Sequence, residues 1–503
     1  MTPADPVDPR RRLSAALRER PVEVALAVLV ALALVPVWAF THFPSQDGPS
    51  HVYNAWVLLR LDDPSGPYGE VYTRHTALVP NLLGTLTLTA LGRVLPLALA
   101  EKVLVSLCVV LGSLGVALLA RGDEQRVPPV ALLGPLFAYG YALHMGFYGY
   151  SLGAALVPLG WAIAWRHRNG RGPRTPALIG LLGLIAWSAH LVAAAMLALG
   201  VLTIALGQRQ RRALVRLALP LLPTAALGVW YVAGLTSTIE DRWSAAELLG
   251  AWISLRGLVA YAGAQRLVAS VTALLLLVAL VHHLRRDRPT HASTWLTLGA
   301  LTALVYAVVP NGNERHWFLS ERLSLFPWLA LLPLVRLCRG ARLQLALCAL
   351  LTVLALATAL PHHAGLDADL RAYRALAAHT RPGRTVLSLT FLDPHPDARP
   401  AARARPFLHA AGWLAVDRDL VDAGNYEART DHFQTRLRPG IAFPDPVVLE
   451  VAPTRVDLRG YPTVDYLVTR DLDAHAPAYR HRVEALFREV ARSERNVLFA
   501  RRR

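Results

Sequence analysis

Lysine is almost missing from this 503-residue chain. Lys102 is the only one, so nearly all the positive charge behind the formal net +17 is arginine. Much of that charge lies in short segments between apolar runs, where cationic residues orient membrane helices, and a nucleic-acid partner is discounted on that ground. Charge of either sign is scarce: charged residues make up 17% and apolar residues 54%, against roughly a quarter and a half in soluble domains. Cysteine is scarce too. Cys108, Cys338 and Cys348 fall in apolar stretches without metal-ligand spacing, which argues against a cysteine metal site and reads as small buried hydrophobes. The sequence also lacks a glycine-rich phosphate loop, a nucleophile elbow and an internal repeat of fixed period.

What the chain has is apolar length. Runs able to cross a bilayer recur from residue 22 to about 361. Candidate spans are 22–42, 77–97, 103–120, 128–144, 148–165, 176–206, 214–234, 266–284, 294–310, 322–338 and 343–361, which corresponds to about 10–13 crossings. Residues 362–503 have no such run and are rich in Arg, Asp, His and Pro. The expected fold is therefore mainly α. It comprises a basic N-terminus at 1–21, a multi-pass helical bundle at 22–361 with an emergent loop at 43–76, and a small soluble α/β domain at 362–503. Arg10, Arg11, Arg12, Arg18 and Arg20 precede the first run. They predict an uncleaved anchor with a cytoplasmic N-terminus, and hence a loop on the far side of the membrane.

Two runs predict broken helices. Residues 176–206 are long for one crossing and have arginines at both flanks, so two short helices folded back near Ser188-Ala189-His190 suit the charge rule. The pair 128–144 and 148–165 turns at His144–Tyr150 in the same way. Such half-helices persist only where they line a protein cavity. In the tail, helices are predicted at Leu370–His379 and Pro477–Arg492, and strands at Thr385–Leu389, Asp465–Thr469 and Asn496–Ala500.

Asp47 and His51 stand where the first run leaves the lipid, in Phe43-Pro44-Ser45-Gln46-Asp47-Gly48-Pro49-Ser50-His51. Ionisable groups held there are functional candidates. A carboxylate at that level can take a proton from an attacking hydroxyl. It would equally make a helix N-cap before Gly48-Pro49. His51 lies one turn on, placed to tune Asp47 or bind an acceptor. Val52, Ala55, Trp56 and Leu59 then mark one face of an amphipathic helix suited to the headgroup region. Asp62-Asp63 before Pro64 reads as a turn. His190, inside an apolar run, is either a cavity residue or the polar group that satisfies a helix break. Arg315 and Arg322 fall in the polar stretch 311–322. Their planar forks suit a lipid phosphate, while a purely topological role would leave them snorkelling to the interface. Glu321 adjoins Arg322 and can pair with it.

The layout resembles a GT-C type membrane glycosyltransferase, the broad class that includes protein mannosyltransferases and aminoarabinose transferases. The likeness rests on the anchor helix, the acid and histidine of the first loop (Asp47, His51), and Pro80-Asn81-Leu82-Leu83 opening the next span. It also rests on Ala100-Glu101-Lys102-Val103, Gly146-Phe147-Tyr148-Gly149-Tyr150, Ser188-Ala189-His190-Leu191 and Glu321-Arg322-Leu323. The resemblance covers about residues 20–361, and the tail is similar to the small domains that end such chains. It implies a polyprenyl-phosphate sugar donor, inverting transfer with Asp47 as base, and an extracytoplasmic acceptor of unspecified kind. Residues and resemblance together give the expectation of a bacterial inner (plasma) membrane protein in which His51 assists Asp47 and His190, Arg315, Glu321 and Arg322 bind substrate. The loop lacks a clear second acid pair, so neither a divalent metal nor another cofactor is indicated. A flippase, a polysaccharide polymerase or ligase, and a non-catalytic assembly protein remain alternatives. A transporter would favour internal symmetry between halves, which the sequence does not display.

Overall fold

The computed structural model describes residues 20–170, 172–234, 240–261, 263–287, 289, 291–313, 317–336, 340–391 and 403–502. All of the basic N-terminus except Arg20 and Pro21 lies outside these, as do Arg315 and Cys338. Five helices among the described residues are long and apolar enough to cross a bilayer: Pro21–Trp38, Leu97–Arg121, Arg211–Ala233, Ala264–Arg286 and Arg342–His379. Shorter apolar helices at Leu82–Gly92, Thr175–Ala189, Leu191–Gly207 and Ala292–Val308 lie between them.

Helix α1 (Pro21–Trp38) begins with a proline in its first turn and leads into the loop that carries Asp47. Helix α2 (Gly48–Arg60) follows directly. The amphipathic reading placed α2 in the headgroup layer, but the structure buries it on two sides. Val52 and Ala55 pack with Ala100, Leu104 and Val105 of α3 (Leu97–Arg121). Tyr53 and Val57 pack into the core of the tail with Val386, Leu387 and Leu414. The second apolar face, Tyr53 and Val57, is what docks this helix on the tail. Each large side chain so buried contributes about 1.5–3 kcal/mol, so α2 is a joint between two cores. The Asp62-Asp63 turn is as expected, with Asp63 Oδ1 accepting from the Ser65 N–H at 3.0 Å.

Two of the expected breaks are present. Helix α4 (Tyr148–Arg166) is preceded by short helical pieces at Gly134–Ala138 and Tyr141–His144. Helices α5 (Thr175–Ala189) and α6 (Leu191–Gly207) part at His190, whose backbone is extended at φ −169°. Both pack against α4 and against each other, as a folded-back pair must. The candidate span 322–338 is not one crossing helix. It divides into Leu319–Leu323, Phe326–Leu331 and a 3₁₀ turn at Leu332–Leu334, because Pro327 and Pro333 cannot continue a helix that needs their N–H groups.

Helix α7 (Ala341–Ala375) runs unbroken from the apolar bundle into the tail, through Pro361. The tail is built on one five-stranded sheet with α8 (Ala411–Arg418) laid against α2. Its strands are β1 (Thr385–Thr390), β2 (Val421–Asp422), β3 (Tyr466–Arg470), β4 (Phe487–Ser493) and β5 (Asn496–Arg501), in the order β2-β1-β3-β5-β4. Strand β1 is parallel to β2 and β3, whereas β5 is antiparallel to β3 and β4. The predicted helix Pro477–Arg492 is corrected here. It stops at Glu484, and the next stretch is β4. Pairing with β5 outweighs the helix propensity of Phe487–Ser493, a case of tertiary context deciding a weak local preference. A further antiparallel pair, Tyr72–Arg74 with Thr435–Leu437, ties the loop after α2 to the tail.

Candidate active site

Asp47 occupies the N-cap position of α2, yet its side chain makes no capping bond to the helix. The carboxylate is buried at 8% exposure and is held by backbone pairing on both sides. The Gln46 N–H donates to His144 O at 3.0 Å, and the Asp47 N–H donates to Met145 O at 3.0 Å. Gly146 has φ +81°, and a Cβ there would lie 2.5 Å from Gly48 N. Gly48 is equally constrained, since a Cβ would strike Ser45 Oγ, the Tyr148 hydroxyl and Glu101 Oε1. The turn at 144–150 is therefore a clamp on the Asp47 backbone, and the glycines are what let the two segments touch.

The carboxylate faces a polar group drawn mostly from the tail. Gln46 Nε2 donates to Asp47 Oδ1 at 3.2 Å. His409 Nε2 lies 3.6 Å from the same oxygen, and the Tyr426 hydroxyl also hydrogen-bonds the carboxylate. Burial pushes Asp47 up to about 6, partly offset by His51 and by the Gln46 bond and reinforced by Glu427. Burial holds His409 down to about 3, so it is neutral. His51 Nδ1 pairs with Glu427 Oε1 at 2.8 Å, with Glu427 fully buried. Burial alone would lower the His51 imidazole, but the Glu427 carboxylate outweighs it and the net direction is upward. A base near neutrality thus sits beside an imidazole held toward its cationic form, a pairing matched to proton transfer at physiological pH.

Arg322 approaches from the other side. It couples electrostatically to Asp47 and Tyr426 and stacks over the Phe147 ring, 4.0 Å from its centroid. Its Nη1 lies 3.1 Å from His190 Nε2. His190 Nδ1 accepts from the Val192 N–H at 3.2 Å, so this histidine both caps the helix break and contacts Arg322. Glu321 does not pair with its neighbour. It binds Arg256 Nε at 3.1 Å and also Arg403, because the short helix at Leu319–Leu323 turns adjacent side chains apart. Glu321, Tyr150 and Ser151 border a small, mostly apolar hollow of about 70 Å3 with Cys108, Phe137, Leu143 and Phe326. The Tyr150 hydroxyl donates to the Arg322 carbonyl, and the Arg322 guanidinium carbon lies 5.6 Å from the centroid of the Tyr150 ring.

The structure thus brings Asp47, His51, His190 and Arg322 to one region and sets Glu321 at its edge. Sequence reasoning missed His409, Tyr426 and Glu427, since each reaches the loop from more than 350 residues away and leaves no local pattern. Among the described residues no group of three or more His, Cys, Asp and Glu side chains is arranged to hold a metal ion.

No family model matches the chain, and no curated protein does. Its fold is shared with two crystal structures of ArnT from Cupriavidus metallidurans. The form bound to undecaprenyl phosphate aligns with a TM-score of 0.57 at 12% identity, covering 95% of this chain and 97% of that one. The apo form gives 0.58 with the same identity and coverage. The bundle with its small sheet-bearing tail has the fold of these two ArnT structures.

Proposed function

We propose that the protein is a membrane glycosyltransferase that moves a sugar from a polyprenyl-phosphate donor to an extracytoplasmic acceptor with inversion at the anomeric carbon. The observation that carries this reading is the Asp47 carboxylate: buried, raised toward neutrality, clamped by its backbone, and free of the capping role its position offers. The fold shared with a protein crystallised with undecaprenyl phosphate supports the choice of donor. The Arg322 guanidinium, set over the Phe147 and Tyr150 rings, supports a site for the donor phosphate.

In this mechanism Asp47 takes the proton of the acceptor hydroxyl as its oxygen attacks the anomeric carbon. The bond from that carbon to the phosphate oxygen breaks on the opposite face, and its electron pair leaves with the polyprenyl phosphate. Arg322, fixed by Phe147 and His190, stabilises the charge that develops on the phosphate. His51 and Glu427 hold the loop and its field in place. Glu321 positions Arg256 and Arg403 rather than touching the donor. Positioning and charge stabilisation together supply most of the rate. No metal is proposed. The test is transfer from a lipid-linked sugar in proteoliposomes: the parent protein transfers and Asp47→Asn does not. Full transfer by a correctly folded Asp47→Asn protein overturns the proposal.

A further inference from the structure

Gln46 precedes the proposed base and has no part in the mechanism above. Its side chain is buried, at 7% exposure, between two partners. Oε1 accepts from the Arg405 N–H at 3.0 Å, and Nε2 donates to Asp47 Oδ1 at 3.2 Å. A side-chain amide can offer a carboxyl either its oxygen or its nitrogen. Here it cannot turn. A flip would set its NH2 group against the Arg405 N–H, donor against donor, and its oxygen against the carboxylate. The backbone amide of Arg405 therefore decides which end of Gln46 meets Asp47.

That backbone is itself held. Arg403 donates its N–H to Ala260 O at 2.9 Å, and its Nη1 to Arg256 O and Val259 O at 2.9 Å each. It also pairs with Glu321 and lies over the Tyr141 ring. Ala404 packs with Tyr141 and Met145. The tail segment 403–405 is thus pinned to the bundle beside the turn that clamps Asp47.

The orientation matters because of what each neighbour can do. Asp47 is faced by His51 of α2, by Arg322 and Tyr141 of the bundle, and by His409, Tyr426, Glu427 and Glu450 of the tail. The Tyr426 hydroxyl can donate to a carboxylate or accept from a carboxylic acid, so it suits both states. Gln46 Nε2 can only donate, and a donor with no other option favours the ionised state. We propose that Gln46 is a positioning residue for the base, its amide turned by the Arg405 N–H so that Asp47 is held as the proton-accepting carboxylate. The inference rests on the reading of Asp47 as the general base, and it gives the tail backbone a share in readying that base.

The test follows the ionisation of Asp47 with and without turnover. The full chain in lipid nanodiscs is titrated by infrared difference spectroscopy, and the carboxyl band that Asp47→Asn lacks is assigned to Asp47. Transfer from a lipid-linked sugar is measured over the same pH range. In the parent protein this carboxyl stands at about 6. Gln46→Met keeps the length and loses the donor, so the midpoint should rise by about one pH unit, the loss of a hydrogen bond to a charged group. Transfer should then be about tenfold slower than the parent's at about pH 5 and level with it at about pH 8. A residue that only supported the fold would lower the rate equally at both. Gln46→Glu keeps an oxygen for the Arg405 N–H and sets a like charge against Asp47, so it should raise the midpoint further, and it serves where Gln46→Met does not fold. Arg405→Pro deletes the orienting N–H and should raise the midpoint too, while Arg405→Gln keeps that N–H and leaves the midpoint in place. An unmoved or lowered midpoint in the folded Gln46 variants overturns the proposal, and an unmoved midpoint in Arg405→Pro overturns the part given to the tail. If the midpoint rises as expected but the parent transfers no sugar, the glycosyltransferase reading fails and the role of Gln46 toward Asp47 stands. If Asp47→Asn abolishes transfer while Gln46→Met titrates like the parent, the role of Gln46 alone fails.

Discussion

Replacing Asp47 by asparagine removes a charge and keeps the shape, so it separates chemistry from architecture. The folded protein raises this carboxyl from 3.8 to about 6, so burial opposes the ionised form. A group whose folded value lies above its unfolded value contributes least stability above both, and at pH 7 the penalty is about two pH units, on the order of 3 kcal/mol. Asparagine carries no such penalty, and it can still accept from Gln46 and Tyr426 through its oxygen. The thermal midpoint of Asp47→Asn should therefore stay level or rise. Transfer should fall by about 10²–10⁴, the usual share of a general base. The assay is transfer from a polyprenyl-phosphate-linked sugar in proteoliposomes, with unfolding followed in parallel on the same preparation. A variant that loses midpoint and activity together would mean that Asp47 is structural. One that keeps both would mean the base lies elsewhere.

The same carboxyl sets a pH profile: kcat/KM should fall about tenfold per unit below about pH 6, where Asp47 is protonated, and level off above it. A flat profile from pH 5 to 7, measured by initial rates, would contradict the assignment. Arg322→Gln should raise the donor KM or lower kcat by about 10–100-fold, the loss of a charge-assisted phosphate contact, and unchanged kinetics would leave Arg322 a packing role against Phe147. A reporter fused after Arg503 should be labelled from outside the cytoplasm, together with a cysteine tag in the 62–66 turn, and cytoplasmic labelling would invert the proposed orientation.

The parts of this molecule legible in its sequence are those with a local physical cause. The break at His190 follows from an apolar run too long for one crossing and basic at both ends, and the clamp at 144–150 follows from a glycine-rich turn between apolar runs. Asp47 was visible because a carboxylate at the exit of a helix is costly to hold. What the sequence hides is assembled across the chain. Glu427 looks like an ordinary charged turn residue until the fold sets it 2.8 Å from His51. His409 looks like one more imidazole in an arginine-rich tail. The true partners of Glu321, Arg256 and Arg403, could not be read from its neighbour. The strand at Phe487–Ser493 was hidden by a helix-favouring composition that pairing with β5 overrules.

The double burial of α2 bears on how chains of this fold can be recombined. Tyr53 and Val57 belong to the hydrophobic interior of the tail, although they lie some 300 residues ahead of it. A chimaera that exchanged only the segment after residue 361 would set foreign side chains against this helix and would misplace the loop before it. A donor of a new tail must bring its own counterpart of Gly48–Arg60, so the loop that carries Asp47 and the tail are inherited as one module.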